Sequence, residues 1–137
     1  ERPMMTNLTW QEYCKFQPST GTCNETGFVL RQYYDVKMED CISYKYQGCP
    51  NNYNHFIDRS TCRAMCEDVG LKPVPGDVSP FISCNFQPDF GNCNSYVPMW
   101  YYDAVEQKCK GFSYSGCGGN QNRYETFSQC SFNCKGK

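Results

Sequence analysis

Apolar and aromatic residues cluster in two pairs of short segments along the chain. Residues 31–36 and 41–47 are rich in Tyr, Val and Ile, and the mostly polar run 37–40 separates them. β-Branched and aromatic runs bounded by polar residues are typical of strands, so these segments predict a two-stranded hairpin. Residues 99–105 and 109–115 repeat the pattern and predict a second hairpin.

Each predicted hairpin is followed by a signal for the start of a helix. Asp58 can accept a hydrogen bond from the first turn of a helix over 59–66. Thr126, with Gln129 three residues later, has the spacing of a capping box for a helix over 127–134. In both helices two cysteines are four residues apart, so the two sulfur atoms lie on one helix face.

The two halves of the chain are an internal repeat. The segments CKFQPSTGTCN, starting at Cys14, and CNFQPDFGNCN, starting at Cys84, share the pattern C-x-F-Q-P-x-x-G-x-C-N. Gaps of 8, 17, 7, 12 and 3 residues separate the first six cysteines, and gaps of 8, 15, 7, 12 and 3 separate the second six. Agreement in four of five gaps indicates a tandem duplication.

The repeat predicts five regions in the chain. They are an N-terminal tail (1–13), a first domain (14–66), a linker (67–83), a second domain (84–134) and a C-terminal tail (135–137). Three prolines and two glycines in the linker favour an extended, semi-rigid spacer. The N-terminal tail has no clear period and is left unassigned.

The cysteine content indicates whether the protein resides in an oxidising or a reducing compartment. Twelve cysteines in 137 residues are typical of a disulfide scaffold, and the even number fits complete pairing. Disulfides need an oxidising environment, so we expect a secreted, extracellular protein. The polar start at Glu1 has no features of a signal peptide, so we expect the mature chain. No run of 18 apolar residues occurs, and we expect no membrane insertion.

Charge and residue content argue against several function classes. Thirteen basic and 14 acidic residues, without a basic cluster longer than two, give no support for nucleic-acid binding. His55 is the only histidine, and the second copy has Arg123 in its place, so we expect no enzyme. The C-x3-C spacing and the lack of histidines argue against a zinc site, and we expect neither metal nor cofactor. A monomer is expected.

The cysteine spacing C-x8-C-x15-C-x7-C-x12-C-x3-C resembles that of the Kunitz domain, typified by bovine pancreatic trypsin inhibitor. The second copy matches all five gaps, and the Tyr-x-Gly-Cys and Asn-x-[Phe/Tyr] elements occur in both copies. The resemblance implies a small disulfide-rich α+β fold with two tandem Kunitz domains. Each domain would be a twisted two-strand β-hairpin with a C-terminal helix and three disulfides.

The resemblance also implies a disulfide pairing, which the sequence alone leaves open among fifteen connectivities per domain. In the family the first cysteine pairs with the sixth, the second with the fourth and the third with the fifth. The implied bridges are Cys14–Cys66, Cys23–Cys49, Cys41–Cys62, Cys84–Cys134, Cys93–Cys117 and Cys109–Cys130.

Kunitz domains typically inhibit serine proteases, and the resemblance implies that function here. The loop around the second cysteine enters the protease active site, and the residue after that cysteine fills the primary specificity pocket. The protease-contact candidates in the second domain are Asn92, Asn94, Ser95, Tyr96 and Val97. Those in the first domain are Asn24 and Glu25.

This chain departs from the usual inhibitory pattern at these positions. Asn24 and Asn94 stand where trypsin-type inhibitors have Lys or Arg, and an Asn would leave a buried pocket carboxylate poorly paired. The two extra residues of the first domain fall in its inhibitory loop, which contains Gly27. Where the family has two glycines before the fourth cysteine, this chain has Gln47-Gly48 and Ser115-Gly116, and Gln47 adds bulk there. Gly21, Gly48, Gly91 and Gly116 remain, and we predict that each is required by the backbone, through a positive φ or tight packing. Asn7 and Asn24 lie in glycosylation sequons, so we predict a glycoprotein.

We therefore expect a Kunitz serine protease inhibitor that binds a trypsin-fold protease partly outside its pocket. The chain resembles two-domain Kunitz anticoagulants of blood-feeding animals, which implies thrombin or factor Xa as the partner class. Weak contacts by the tail, the linker and the second domain would add up through avidity. The alternative is a non-inhibitory Kunitz binding module for a receptor, a channel or another secreted protein. The nearly neutral charge favours a protein ligand over a channel.

Overall fold

Both predicted β-hairpins form, but each strand lies one or two residues nearer the N-terminus than the sequence pattern predicts. The computed structural model describes residues 8–18, 27–47, 54–76 and 78–135. The chain divides into two units, Glu1–Lys72 and Pro73–Lys137, with the boundary inside the predicted linker. The element order is α1 (Trp10–Tyr13), β1 (Val29–Asp35), β2 (Asp40–Tyr46) and α2 (Arg59–Cys66) in the first unit, and α3 (Pro80–Ser83), β3 (Val97–Asp103), β4 (Lys108–Tyr114) and α4 (Phe127–Cys134) in the second.

The hairpins are antiparallel and have equivalent registers. Val29 pairs with Tyr46 in the first unit, and Val97 pairs with Tyr114 in the second. An aspartate side chain closes each turn. Asp103 Oδ1 accepts hydrogen bonds from the backbone N–H groups of Val105 and Glu106, both at 3.0 Å, and Asp35 does the same in the first unit. Such bonds fix the turn between the strands.

The two longer helices have the predicted bounds. Asp58 accepts a hydrogen bond from Thr61 N at 2.8 Å, as expected of an N-cap residue. Thr126 Oγ1 likewise accepts from Gln129 N at 3.1 Å. The Gln129 side chain, however, accepts from Glu125 N instead of the Thr126 N–H, so only half of the predicted capping box forms.

Two short helices were not predicted from the sequence. Helix α1 lies within residues 1–13, which the sequence pattern left unassigned, and its Tyr13 is buried. Helix α3 lies within the linker that was expected to be extended, so that expectation is wrong for Pro80–Ser83. Pro80 occupies the first turn of α3, where its fixed φ favours a helix and its missing N–H costs nothing.

The core of the first unit lies between its hairpin and α2. Its buried residues are Cys14, Tyr34, Val36, Cys41, Phe56, Cys62 and Cys66, and Trp10, Met65 and Val69 pack against them. Five implied disulfides are present: Cys14–Cys66, Cys41–Cys62, Cys84–Cys134, Cys93–Cys117 and Cys109–Cys130. The sixth, Cys23–Cys49, lies outside the described residues. The predicted fold of each unit, a two-stranded hairpin with a C-terminal helix, is confirmed.

A buried asparagine joins the hairpin to the N-terminal segment in each unit. Asn54 accepts from Tyr34 N at 2.9 Å and donates to the carbonyl oxygens of Tyr34 and Phe16 at 3.1 and 2.8 Å. Asn122 repeats the pattern with Tyr102 and Phe86. Both side chains are fully buried, and these bonds supply the partners that burial requires. No helix among the described residues could cross a bilayer.

Candidate functional site

Among the described residues of the second unit, the longest continuously exposed segment surrounds the second cysteine of that unit. Every residue from 92 to 98 is exposed, and the Tyr96 side chain keeps 87% of its surface in contact with solvent. Asn94 lies in this segment and carries no charge. The predicted contact residues Asn92, Asn94, Ser95, Tyr96 and Val97 therefore form one accessible surface. We call residues 90–97 the second-domain loop.

The backbone of the second-domain loop is constrained on both sides of Asn94. On the N-terminal side, the Cys93–Cys117 disulfide and a 3.2 Å hydrogen bond from Asn92 N to Cys117 O hold the backbone. On the C-terminal side, Ser95 N donates to Ser115 O at 2.9 Å. These bonds restrict the loop backbone before any partner binds, whereas the Asn94 side chain stays accessible.

Two glycines that the sequence singled out allow this backbone path. Gly91 has a φ of +86°, and a Cβ atom there would come within 1.9 Å of Cys117 O. Gly116 has a φ of +113°, which also favours glycine. The predicted requirement for glycine is confirmed at these two positions. Gly21 and Gly48, for which the same requirement was predicted, lie outside the described residues.

Two further residues of this surface, one in the loop and one beneath it, were not predicted from the sequence. Phe90 exposes 47% of its side chain and adds an apolar surface at the start of the loop. Ser115 is buried beneath the loop and contacts its backbone. The only sequence signal for Ser115 was a serine in a position where the family usually has glycine.

A cation lies near the loop's disulfide but is already engaged by the protein. The Arg123 guanidinium lies 4.1 Å from the centroid of the Tyr114 ring. It also donates hydrogen bonds to the carbonyl oxygens of Gly118 and Asn120 at 3.2 and 3.0 Å. Arg123 therefore supports the segment after Cys117, and the loop itself presents amide, hydroxyl and aromatic groups.

The first unit has a different surface at the corresponding place. Asn24 and Glu25, like the sequon residue Asn7, lie outside the described residues. Next to them, Phe28, Val29 and Leu30 expose 50%, 53% and 63% of their side chains. The Lys45 ammonium lies 4.9 Å from the Phe28 ring centroid. The first unit thus presents three consecutive apolar side chains at the start of β1.

His55 packs against a tyrosine. Its ring stacks on Tyr46, with centroids 4.5 Å apart and planes 15° apart, and the Arg31 guanidinium lies 5.0 Å from the Tyr46 centroid. The pKa of His55 is lowered from its usual 6.5, mainly because the ring is partly buried and to a smaller extent because Arg31 is positively charged. The stacked geometry shows that His55 packs as an aromatic side chain against Tyr46.

Comparison with known proteins identifies the repeated unit. The Kunitz/Bovine pancreatic trypsin inhibitor domain is recognised at residues 13–67 and 83–135. Kunitz-type serine protease inhibitor A of Rhipicephalus microplus is 34% identical over 122 residues, which cover 89% of this chain and 93% of that protein. Papilin of Drosophila melanogaster is 33% identical over 124 residues, covering 90% of this chain, but this match spans only 4% of papilin.

A solved structure of Ixolaris, studied together with its interaction with factor X, is also similar in sequence. It is 28% identical, and the match covers 93% of this chain and 98% of that chain. The TM-score of the two structures is 0.37.

Proposed function

This chain belongs to the Kunitz/bovine pancreatic trypsin inhibitor family, and on that premise we propose that it is a secreted inhibitor of a trypsin-fold serine protease. It would act by binding and not as an enzyme. The proposed organisation is a first domain at 14–66 and a second at 84–134, joined by the linker 67–83. The disulfides support secretion, because they persist in oxidising compartments.

The fastened, exposed second-domain loop is the observation that carries this proposal. Cys93 and Ser95 are both held by hydrogen bonds, and Asn94 between them is exposed. A segment that is already ordered loses little conformational entropy when it docks, so more of its contact energy becomes affinity. The loop would therefore enter the protease active site, with Asn94 directed at the primary pocket.

The proposed binding extends beyond the pocket. The amide of Asn94 cannot pair with a pocket carboxylate as Lys or Arg would, so other contacts have to supply affinity. Tyr96 and Phe90 offer exposed aromatic surface beside the tip, and aromatic residues are common in binding hot spots. A coagulation protease such as thrombin or factor Xa is the proposed target class.

A second candidate function rests on the first domain. Its exposed Phe28, Val29 and Leu30 form an apolar run that the domain leaves uncovered. This run favours a module that binds a receptor, a channel or another secreted protein without inhibiting a protease. In that case the chain would inhibit no protease.

A protease panel tests the proposal and separates it from the alternative. The intact chain is incubated at micromolar concentration with trypsin, chymotrypsin, thrombin, factor Xa, plasmin and kallikrein. Each reaction is followed with a small chromogenic peptide and with a macromolecular substrate. We expect at least one protease to be inhibited. Block of both substrates would place a segment in the active site, and block of only the large substrate would place binding outside it. Activity of every protease with both substrates would contradict inhibition.

A further inference from the structure

Ser115 makes three hydrogen bonds with the second-domain loop and one with Cys117. It directly follows β4 and is 2% exposed. Its Oγ accepts a hydrogen bond from Cys93 N at 3.0 Å and donates to Cys117 O at 3.3 Å. Its backbone N donates to Phe90 O at 2.8 Å, and its backbone O accepts from Ser95 N at 2.9 Å. One buried residue thus contacts the loop at its start, at its cysteine and after its tip.

The hydroxyl group adds a connection that a backbone alone cannot make. A glycine at this position could still bond to Phe90 and Ser95 through its main chain. It could not reach the Cys93 N–H, which directly precedes Asn94. With Ser115, the backbone is held on both sides of Asn94, one residue away in each direction. A buried hydroxyl that uses both its donor and its acceptor capacity is also fully compatible with burial.

The first domain has no serine at the corresponding position. The two hairpin registers make Gln47 the counterpart of Ser115, because Tyr46 and Tyr114 pair with equivalent valines. The amide of Gln47 is two carbon atoms farther from its backbone than a serine hydroxyl. Gln47 therefore has no hydroxyl on its Cβ atom, which is the group through which Ser115 bonds to Cys93 and Cys117.

We propose that Ser115 is a positioning residue for protease inhibition: its hydroxyl bridges Cys93 N–H and Cys117 C=O and holds Asn94 in the docking conformation. The proposal rests on the proposed inhibitory function and names a residue beneath the contact surface that controls it. Ser115 does not touch the protease itself. Its effect is to reduce the number of conformations that the loop tip adopts before docking.

Hydrogen exchange tests the positioning role without a protease. Ser115→Ala in the full chain removes the hydroxyl and keeps the Cβ atom, and Ser113→Ala removes an exposed serine hydroxyl from the neighbouring strand position as a control. Exchange of individual amides is followed by NMR. We expect the Cys93 amide to exchange about 3- to 10-fold faster in Ser115→Ala, as for the loss of one hydrogen bond. The exchange rates of the α4 amides in Ser115→Ala should be unchanged. The exchange rate of the Cys93 amide in Ser113→Ala should also be unchanged. An unchanged Cys93 amide would overturn the proposal.

Trypsin serves as the probe for the effect on inhibition, in a background that carries Asn94→Arg. We compare Asn94→Arg alone with the double variants that add Ser115→Ala or Ser113→Ala. Adding Ser115→Ala should raise the inhibition constant and speed cleavage after position 94, each by about 3- to 10-fold. Adding Ser113→Ala should change neither.

The two experiments separate failure of the inference from failure of the proposed function. If Asn94→Arg does not inhibit trypsin at all, the second-domain loop has no docking conformation for Ser115 to hold, and this inference falls, whereas the proposed function is decided by the protease panel. If Asn94→Arg inhibits trypsin and Ser115→Ala changes neither the inhibition constant nor the cleavage rate, only the positioning role of Ser115 is wrong. Faster amide exchange without a change in inhibition would lead to the same conclusion.

Discussion

His55 and Arg123 occupy equivalent positions in the two domains and pack on equivalent tyrosines. His55 stacks on Tyr46 at 4.5 Å, and Arg123 lies 4.1 Å from the Tyr114 ring centroid. Arginine stays charged at all pH values that proteins tolerate, whereas histidine titrates near neutrality. The two domains should therefore respond differently to acid, although their folds are the same.

We predict that acidification below about pH 6.5 destabilises the first domain more than the second. Burial and the charge of Arg31 lower the pKa of His55, so the unfolded chain binds the proton at a higher pH than the folded chain. Stability contributed by neutral His55 is therefore present above pH 6.5 and is lost as the pH falls. Denaturant unfolding at pH 7.5 and pH 5, monitored through NMR signals of each domain, measures the free energy of unfolding of both domains.

Replacement of the single histidine supplies the control for this pH effect. His55→Asn removes the group that titrates between pH 5 and 7.5, so the stability of the first domain should lose most of its pH dependence there. The second domain, which has Arg123, should behave alike in both proteins. An equal pH dependence of the first domain before and after the substitution would show that His55 is not the cause.

At the scale of elements, Lys15 connects the N-terminal and C-terminal segments of the first unit, which flank the predicted first domain. It follows α1 and is 2% exposed. Its ammonium donates to Gln11 O at 3.1 Å and also to Lys72 O, which lies beyond α2. In the second domain the counterpart Asn85 makes the equivalent local bond, to Phe81 O at 2.8 Å. The first domain therefore has a long-range connection that Asn85 does not make in the described contacts.

We predict that Lys15→Ala destabilises the first domain by about 1–3 kcal/mol, because it leaves carbonyl groups without a strong donor. Asn85→Ala is the matched control and should cost the second domain about 0.5–1.5 kcal/mol, as for one ordinary hydrogen bond. Denaturant unfolding with probes in each domain gives both values. A smaller loss for Lys15→Ala than for Asn85→Ala would contradict the connecting role.

The longer elements could be predicted from the sequence because local signals define them. Tyrosine-rich runs mark the strands, and Asp58 and Thr126 cap α2 and α4 as their spacing suggests. Helices α1 and α3 have four residues each, which is too short for a helical period to be visible. The burial of Lys15 depends on carbonyl groups 4 and 57 residues away, which no local pattern encodes.

The candidate site could be predicted only in part, for a similar reason. The family cysteine spacing locates residues 92–97, and the structure places them in one exposed segment. The bracing by Ser115 could not be predicted, because it needs the end of β4 to lie under a loop that starts 25 residues earlier in the chain. The exposure of Phe90 likewise depends on how the loop leaves the domain, which a single aromatic residue does not reveal.

At the scale of the whole molecule, the two domains have the same fold and different loops. The second domain keeps the family spacing of 15 residues between its second and third cysteines, whereas the first has 17. Gly27 of the lengthened loop has a φ of +140°, and Gln47 replaces the small residue that braces the second loop. We infer that the loop which enters a protease active site is that of the second domain.

Equivalent substitutions in the full chain test this division. Asn94→Arg should create inhibition of trypsin, because it places a cation on a loop that is already fastened around that position, and a trypsin-like pocket binds cations. Asn24→Arg makes the same chemical change in the longer loop and should not inhibit. Trypsin is assayed with a chromogenic peptide and with a protein substrate, and the inhibitor is examined for cleavage. Inhibition by both variants would mean that the first loop also adopts a docking shape, and inhibition by Asn24→Arg alone would reverse the assignment of the two domains.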